Sequence, residues 1–441
     1  MIVPRTKLLA WTGVVAIPFS AAAAVAPSVA PVSLAAILGF LVLALLDAAL
    51  SYGGLDAVSV ELPPVVRLLK GRRGALGLRF GNADPKAVRL RLGLAFPRGI
   101  TSEIEELTAE LRGGAETVRL EWPCTPLARG VFNVDACHLE RASILGFWGL
   151  RAVRRAQTEI RVYPDMLPEQ KRLGAIFLDR GSLGVHARRQ AGRGREFEKL
   201  REYVAGDCLK EIHWKATAKR GRPFTKVFQI ERTQEVYVIV DASRLSARPA
   251  SGGDDILERY VTAALILGQV AHRQGDLFGL LTFSDRIHGF IRARGGHGHY
   301  RVCRDALYTV RPRVVTPDFE ELAGFIRSRI RRRALLVFLT GLDDPVLSEG
   351  FIRGAEILRQ KHLMLVNMLK PPLASPLFSD EDVVSPDDLY AKLAGHLKWC
   401  NLRELEKVLR QRGIRFHLLD HERLCAQIVS QYMDIKRRLL L

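Results

Sequence analysis

EVYVIVDAS (Glu235–Ser243) is the stretch on which the fold turns. It runs apolar almost without a break, ends in an acid at Asp241, and places Ser243 two positions on. Such a run is the pattern of a strand covered on both faces. Four similar runs follow: DLFGLLTF (Asp276–Phe283), ALLVFLT (Ala334–Thr340), HLMLVNML (His362–Leu369) and IRFHLLD (Ile414–Asp420). Between them lie amphipathic stretches at helical spacing: Ile256–Arg273, His299–Val310, Phe319–Ile330, Glu349–Gln360, Leu389–Arg412 and His421–Arg437. Strands alternating with helices predict a parallel sheet with helices on both faces, a doubly wound α/β domain over residues 234–441. DRIHGFIRA (Asp285–Ala293) stands close behind the second strand and predicts a hairpin partner at an antiparallel edge. Pro371–Asp387 reads as a polar, Pro-rich insertion.

Upstream the pattern changes twice. Residues 56–165 carry short alternating segments such as VSVEL, ALGLRF, TVRLEW and TEIRVYP, separated by the turn signals GNADP, RGG and PCTP. No long helix interrupts them, which predicts a small β-sandwich. Residues 8–50 hold two nearly uncharged stretches, Leu8 to Ala30 and Val32 to Leu50, and each meets the length of a membrane-crossing helix. Pro27 and Pro31 flank the reversal between them, and Asp47 reads as an end residue reaching toward water. Arg5 and Lys7 precede the pair, while Arg67, Lys70, Arg72 and Arg73 follow it. Basic flanks put both ends on the cytoplasmic side, with the lipid bilayer as a partner. A cleaved signal peptide is the competing reading, but it leaves the second apolar run unexplained.

Residues 166–233 read as a connector. Lys171–Arg195 is basic, Gly-rich and loop-like, and its GRGR lacks the strand and helix of a nucleotide-binding turn. REFEKLREYVAGDCLKEIHWKATAKR (Arg195–Arg220) then packs acids, bases and aromatics around a Gly206-Asp207 turn. Asp207 is a good N-cap, so the spacing predicts a helix starting there with Leu209, Ile212 and Ala216 on its buried face. Trp214 is expected to behave as a large buried aromatic whose loss costs a few kcal/mol, roughly. The charged groups suit an ion-pair clamp first, a docking surface second and catalysis last. On paper Glu202, Asp207 and His213 could serve a hydrolase, yet no flanking pattern singles out a nucleophile or an acid/base pair.

Arg201, Glu202, Tyr203, Gly206, Asp207, Ile212, Trp214 and Lys215, together with Ala218 and Gly221, resemble the signature of a family of membrane-anchored proteins. That family is a domain of unknown function, number fifty-eight, with a von Willebrand factor A-like domain, often linked to MoxR-type AAA+ ATPases. The resemblance implies a doubly wound A-like domain, a MoxR-type ATPase as partner, and a non-catalytic scaffold or adaptor role in assembling or maturing complexes at the inner membrane. It also implies a rim for a divalent cation, built from an Asp-x-Ser-x-Ser loop, a Thr from a second loop and an acid from a third. Asp241 and Ser243 match the first positions, and they remain weak candidates for a metal. Leu245 stands where the next Ser belongs and Ser246 is displaced by one. His297 falls near the Thr position; Gly341 takes the place of the acid, with Asp343 and Asp344 slightly late. Mg²⁺ demands near-octahedral oxygen ligands, so this set disfavours it. His297 and His299 with Asp241 offer a softer ion such as Zn²⁺ as the alternative, with partner binding by other proteins on the same rim.

The 441 residues carry 66 basic and 47 acidic side chains, a formal charge of +19. Such a surface suits anionic lipid, an acidic protein or nucleic acid. The basic runs RSRIRRR (Arg327–Arg333) and KRRLLL lack interleaved aromatics, so nucleic acid is the least supported partner. Six cysteines, Cys124, Cys137, Cys208, Cys303, Cys400 and Cys425, form no CxxC pattern and read as isolated reduced thiols.

Overall fold

In the computed structural model the chain divides into two units, Met1–Asp165 and Met166–Leu441. The structure describes residues 1–83, 87–111, 117–179, 191–204, 209, 212–229, 234–250, 253–372, 374–377 and 385–438.

The first unit opens on a short strand, β1 (Ile2–Pro4), which nothing in the sequence announced. Helices α1 (Thr6–Val25) and α2 (Ala30–Ser51) follow, joined through a 3-10 turn at Pro27–Val29. With 20 and 22 residues, both are long and apolar enough to cross a membrane. Apolar residues surround α1 on every side, and none of them is buried. Nine strands come next: β2 (Val58–Glu61), β3 (Val65–Leu69), β4 (Gly74–Asn82), β5 (Val88–Leu94), β6 (Ile100–Thr101), β7 (Leu107–Leu111), β8 (Thr117–Pro126), β9 (Gly130–Ala142) and β10 (Trp148–Tyr163). One sheet has the order β1-β10-β9-β5-β7, with β3 also paired to β10; the other is β2-β4-β8-β6. Period-two alternation turns Leu76, Leu78 and Phe80 of β4 and Leu90 and Leu92 of β5 inward, into one core with Trp122, Leu139 and Leu150. The buried Trp122 indole donates to Ser102 Oγ at 2.9 Å, which removes the cost of an unpaired N–H.

Asp47 corrects an expectation. It does not reach for water: the residue is 3% exposed, its carboxylate accepting from Ser143 Oγ at 2.6 Å and from the Leu145 N–H at 3.0 Å. The Trp148 indole donates to the Ala44 carbonyl at 2.7 Å, and the Ile144 N–H to Ser51 Oγ at 3.2 Å. The last turns of α2 are thereby tied to the loop between β9 and β10.

The second unit begins with α3 (Leu167–Asp179), a helix where the sequence suggested a loop. Met166 and Leu173 join the apolar core, and the buried Glu169 lies 3.6 Å from Arg172 and 3.8 Å from Arg259. An amphipathic turn hidden among Lys and Arg is what the composition obscured. Strand β11 (Ala191–Glu202) and β12 (Phe224–Gln229) form a two-stranded antiparallel sheet around the short helix α4 (Trp214–Arg220).

The larger sheet follows: β13 (Glu235–Asp241), α5 (Ile256–Arg273), β14 (Leu277–Phe283), β15 (Ile287–Arg294), α6 (His297–Leu307), α7 (Phe319–Arg329), β16 (Leu335–Leu339), α8 (Pro345–Leu358), β17 (Leu363–Leu369), α9 (Pro386–Gln411), β18 (Arg415–Leu419) and α10 (Leu424–Arg437). Its order is β15-β14-β13-β16-β17-β18, parallel throughout except for the β14–β15 hairpin. Val236, Val238 and Val240 of β13 face one core with α5 and α10; Tyr237 and Ile239 face the other with α7 and α8. Helices on both faces are the reason these strands carry no polar alternation.

Candidate functional site

β13 delivers Asp241 to the end of the sheet where the parallel strands finish, the usual place for a ligand site in open α/β sheets. There the side chain turns inward. Asp241, Ser243, Ser246 and Thr340 are all 0% exposed. One Asp241 oxygen accepts the Ser243 N–H at 2.8 Å, the other the Thr340 hydroxyl at 2.6 Å. Ser246 Oγ donates to the Asp241 carbonyl at 2.6 Å, and the Leu245 N–H to Ser243 Oγ at 3.3 Å. Burial pushes the Asp241 carboxyl above its ordinary range, against the pull of the bonds from Thr340 and Ser243 and of the Arg248 charge. Thr340 is the partner the sequence reading missed; its position directly after β16, level with Asp241 across the sheet, is the signal that could have found it.

The remaining acids are engaged as well. Arg248 Nη1 meets Asp343 Oδ2 at 2.6 Å, while Asp343 Oδ1 is buried without a partner. Asp344 caps α8, accepting from the N–H groups of Val346 at 3.0 Å and Leu347 at 3.4 Å. The buried Leu245 fills the space beside Gly341, where an added Cβ would come within 3.5 Å of it. A hard cation needs several open oxygen ligands. Here the hydroxyls are spent inward, one acid is held toward its neutral form, a second is neutralised by arginine and a third is a helix cap. The donor set does not fit Mg²⁺. Among the described residues no group of three or more His, Cys, Asp or Glu is placed to hold a metal.

His297 is at the wrong end of the sheet for the role given to it. Asp241 pairs with Phe283, the last residue of β14, but β15 runs back antiparallel, so Arg294 returns to Phe278 near the start of that strand. His297 and His299 follow Arg294 and therefore lie at the Glu235 end. His297 packs edge-on against His272 at 4.4 Å, and His299 Nε2 lies 2.7 Å from the Phe278 carbonyl. Neither can join Asp241 around an ion. The rim is covered instead by residues 311–318: Arg313 N–H bonds the Ala242 carbonyl at 2.8 Å, and Arg244 N–H the Val315 carbonyl at 3.0 Å. The covering segment carries Val314, 89% exposed, the start of α8 carries Val346, 77% exposed, and Arg244 lies 3.8 Å from Asp344.

The signature residues lie mostly on the small sheet. Arg201 and Glu202 pair with Thr225 and Phe224, the Tyr203 N–H bonds the Pro223 carbonyl at 2.9 Å, and the buried Ile212 bridges Thr225. Gly206 and Asp207 lie outside the described residues, as does Cys208. The helix starts at Trp214 with His213 as N-cap, its Nδ1 accepting the Ala216 N–H at 3.0 Å. His213 is thus engaged as a cap, and Glu202 meets Arg222 at 3.5 Å with both side chains largely exposed. Such a surface pair contributes about 0–1 kcal/mol, so it makes a poor clamp. Trp214 is 69% exposed, and Leu209 is 68% exposed. Both overturn the buried roles expected of them: Leu209 lies before the helix, and Trp214 stands at the first position of a helix of only seven residues, which offers little surface to cover an indole.

The basic runs also resolve. Lys436 is drawn inward, donating to the buried Asp276 at 2.8 Å beside the Tyr432 hydroxyl. Arg333 lines an open recess of about 520 Å³ with Arg359, Lys361, His362 and Arg412, at the strand-start edge of β16 and β17. Burial, with the neighbouring Lys361 charge, pushes the His362 imidazole down to about 4. Cys137 is raised to about 11 and Cys303 and Cys425 to about 12 by burial, which leaves these thiols unreactive.

Comparison with known proteins agrees with the signature in position. Residues 199–375 match a family described as "Protein of unknown function DUF58". No curated protein matches the chain. Among solved structures it is similar to an aerotolerance-related membrane protein from Bacteroides fragilis NCTC 9343, at 14% identity and a TM-score of 0.31, over 45% of this chain and 97% of that one. It is likewise similar to the conserved hypothetical protein BatB from Bacteroides thetaiotaomicron, at 12% identity and a TM-score of 0.31, over 46% and 99%. A PapD-like domain of human CEP192 matches over 25% of this chain and 87% of its own, at 11% identity and a TM-score of 0.19. Neither identities nor scores of this size transfer a function.

Proposed function

We propose that the chain is a membrane-anchored, non-catalytic scaffold whose larger α/β domain, of the von Willebrand A-like kind, binds other proteins through the rim above Asp241. The single observation that carries this is the contrast at that rim. A hydrogen-bonded polar bed underlies a rim that exposes Val314, Val346 and the cationic Arg244, and its acids are committed to structure. Exposed apolar side chains and an arginine over such a bed are the makings of a protein contact rather than a reaction centre. α1 and α2 serve as the membrane anchor, and the basic residues on both flanks favour a cytoplasmic position for both units, at the inner membrane of a bacterium. The family resemblance points to a MoxR-type AAA+ ATPase as partner, with complex assembly or maturation as the shared task.

The test is direct capture. Full-length protein in detergent is immobilised and presented with a purified MoxR-type ATPase, with and without ATP. Saturable binding that survives EDTA and is lost in the double variant Arg244→Glu, Val346→Asp supports the rim. Binding unchanged by that variant moves the contact elsewhere, and no binding in any nucleotide state removes the ATPase.

A further inference from the structure

We propose that the loop between β9 and β10, residues 143–147, is a third membrane-contacting element that dips into the lipid leaflet beside the ends of α1 and α2. The inference rests on reading those helices as spans. Depth is the first argument. The loop bonds to Asp47 and Ser51, the indole of Trp148 directly after it bonds to Ala44, and the Phe147 ring meets Phe40 edge-on at 5.8 Å. Residue 44 is about 10 Å along the axis from the helix end at Ser51, and residue 40 about 16 Å. The loop therefore runs alongside the last turns of α2 instead of beyond them. A 22-residue helix barely exceeds the hydrocarbon thickness of about 30 Å, so those turns lie inside the leaflet.

The loop's chemistry suits that depth. SILGFWG (Ser143–Gly149) carries no charge, and its tip presents Ile144, 70% exposed, and Leu145, 46% exposed. Lipid supplies no hydrogen bonds, so backbone polar groups there must be satisfied within the protein. The N–H of Ser143 bonds the Trp148 carbonyl at 2.9 Å and that of Gly146 the Ser143 carbonyl at 3.0 Å. Ile144 and Leu145 donate to Ser51 Oγ and Asp47, and the Trp148 N–H to Ser143 Oγ at 2.9 Å. A loop built for water would not need this. Lys7 lies over Gly146, whose φ of 79° lets the chain turn there, and Arg5 N–H holds the Phe147 carbonyl at 2.9 Å. That places cationic side chains at the level where lipid headgroups carry their phosphates.

The experiment uses the full chain in nanodiscs of phosphatidylcholine and phosphatidylglycerol. Ile144→Cys and Leu145→Cys are each labelled with a polarity-sensitive fluorophore, with the parent protein labelled in parallel as background. Glu121→Cys, on the other sheet, is the aqueous control. Labels at 144 and 145 should lose most of their emission to lipids brominated near the headgroup end of the chain and be shielded from iodide, whereas the label at 121 behaves oppositely. Emission at 144 and 145 matching that at 121, in protein that resists alkaline carbonate extraction, overturns the inference and leaves the spans standing. Shielding from iodide without lipid quenching means a second copy covers the loop, and also overturns it. Extraction by carbonate removes the spans and the inference together.

Discussion

Asp241 and Trp214 exchange the roles that their residue types suggest. The acid at the end of β13 is wholly buried and spends both oxygens on its neighbours, while the tryptophan at the start of α4 is two-thirds exposed. The difference comes from support. Asp241 is placed by a strand with paired neighbours on both sides and a helix on each face, so its surroundings close over it. Trp214 begins a seven-residue helix on a two-stranded sheet, where there is too little structure to bury an indole. Sequence type says what a residue prefers; the amount of structure around it decides whether the preference is met.

The contrast can be broken most sharply at Asp241. Asp241→Ala should lower stability by about 3 kcal/mol, because the Thr340 hydroxyl and the Ser243 N–H are left buried without acceptors. Chemical denaturation of the full chain in detergent would show it, and an unchanged midpoint would mean the rim is solvated and open. A smaller effect follows from charge. A carboxyl whose folded pKa lies above its ordinary value of 3.8 gives stability that is fully present below that value. The contribution is lost as pH rises toward the raised folded value, since the folded state then binds more protons than the unfolded one. Asp241→Asn should remove this decline, flattening the curve of midpoint against pH above 4; parallel curves for the two proteins would refute a raised pKa.

Trp214→Ala should change stability by no more than about 0.5 kcal/mol, the range of surface substitutions. A loss of several kcal/mol in the same denaturation assay would show the indole to be covered. Smallest of all is the expected effect of Mg²⁺: millimolar titration should give no thermal shift beyond an ionic-strength control, since a ligand that does not bind the native state cannot stabilise it. A saturable shift abolished by Asp241→Ala would reopen the rim as a metal site.

How much of this could be read beforehand depended on the range of the forces involved. The strand at Glu235–Asp241 and the helix at Ile256–Arg273 are visible because burial on both faces, or on one stripe, leaves a local periodicity. The position of His297 is not local: it depends on the antiparallel β14–β15 pair of the large sheet, which returns the chain to the opposite end of the strands. Thr340 was overlooked for a related reason, since its bond to Asp241 joins strands separated by 99 residues. α3 was hidden by composition, its few apolar contacts masked by Lys171, Arg172 and the glycines that follow.

The strand that opens the chain has a consequence in time. Ile2 pairs with Leu150, so the residues of β1 have no strand partner until β10 has been made. At roughly 5–20 residues per second that interval is on the order of ten to thirty seconds. Through it β1 must wait unpaired. Pairing β1 with β10 is thus a late step in the assembly of this sheet.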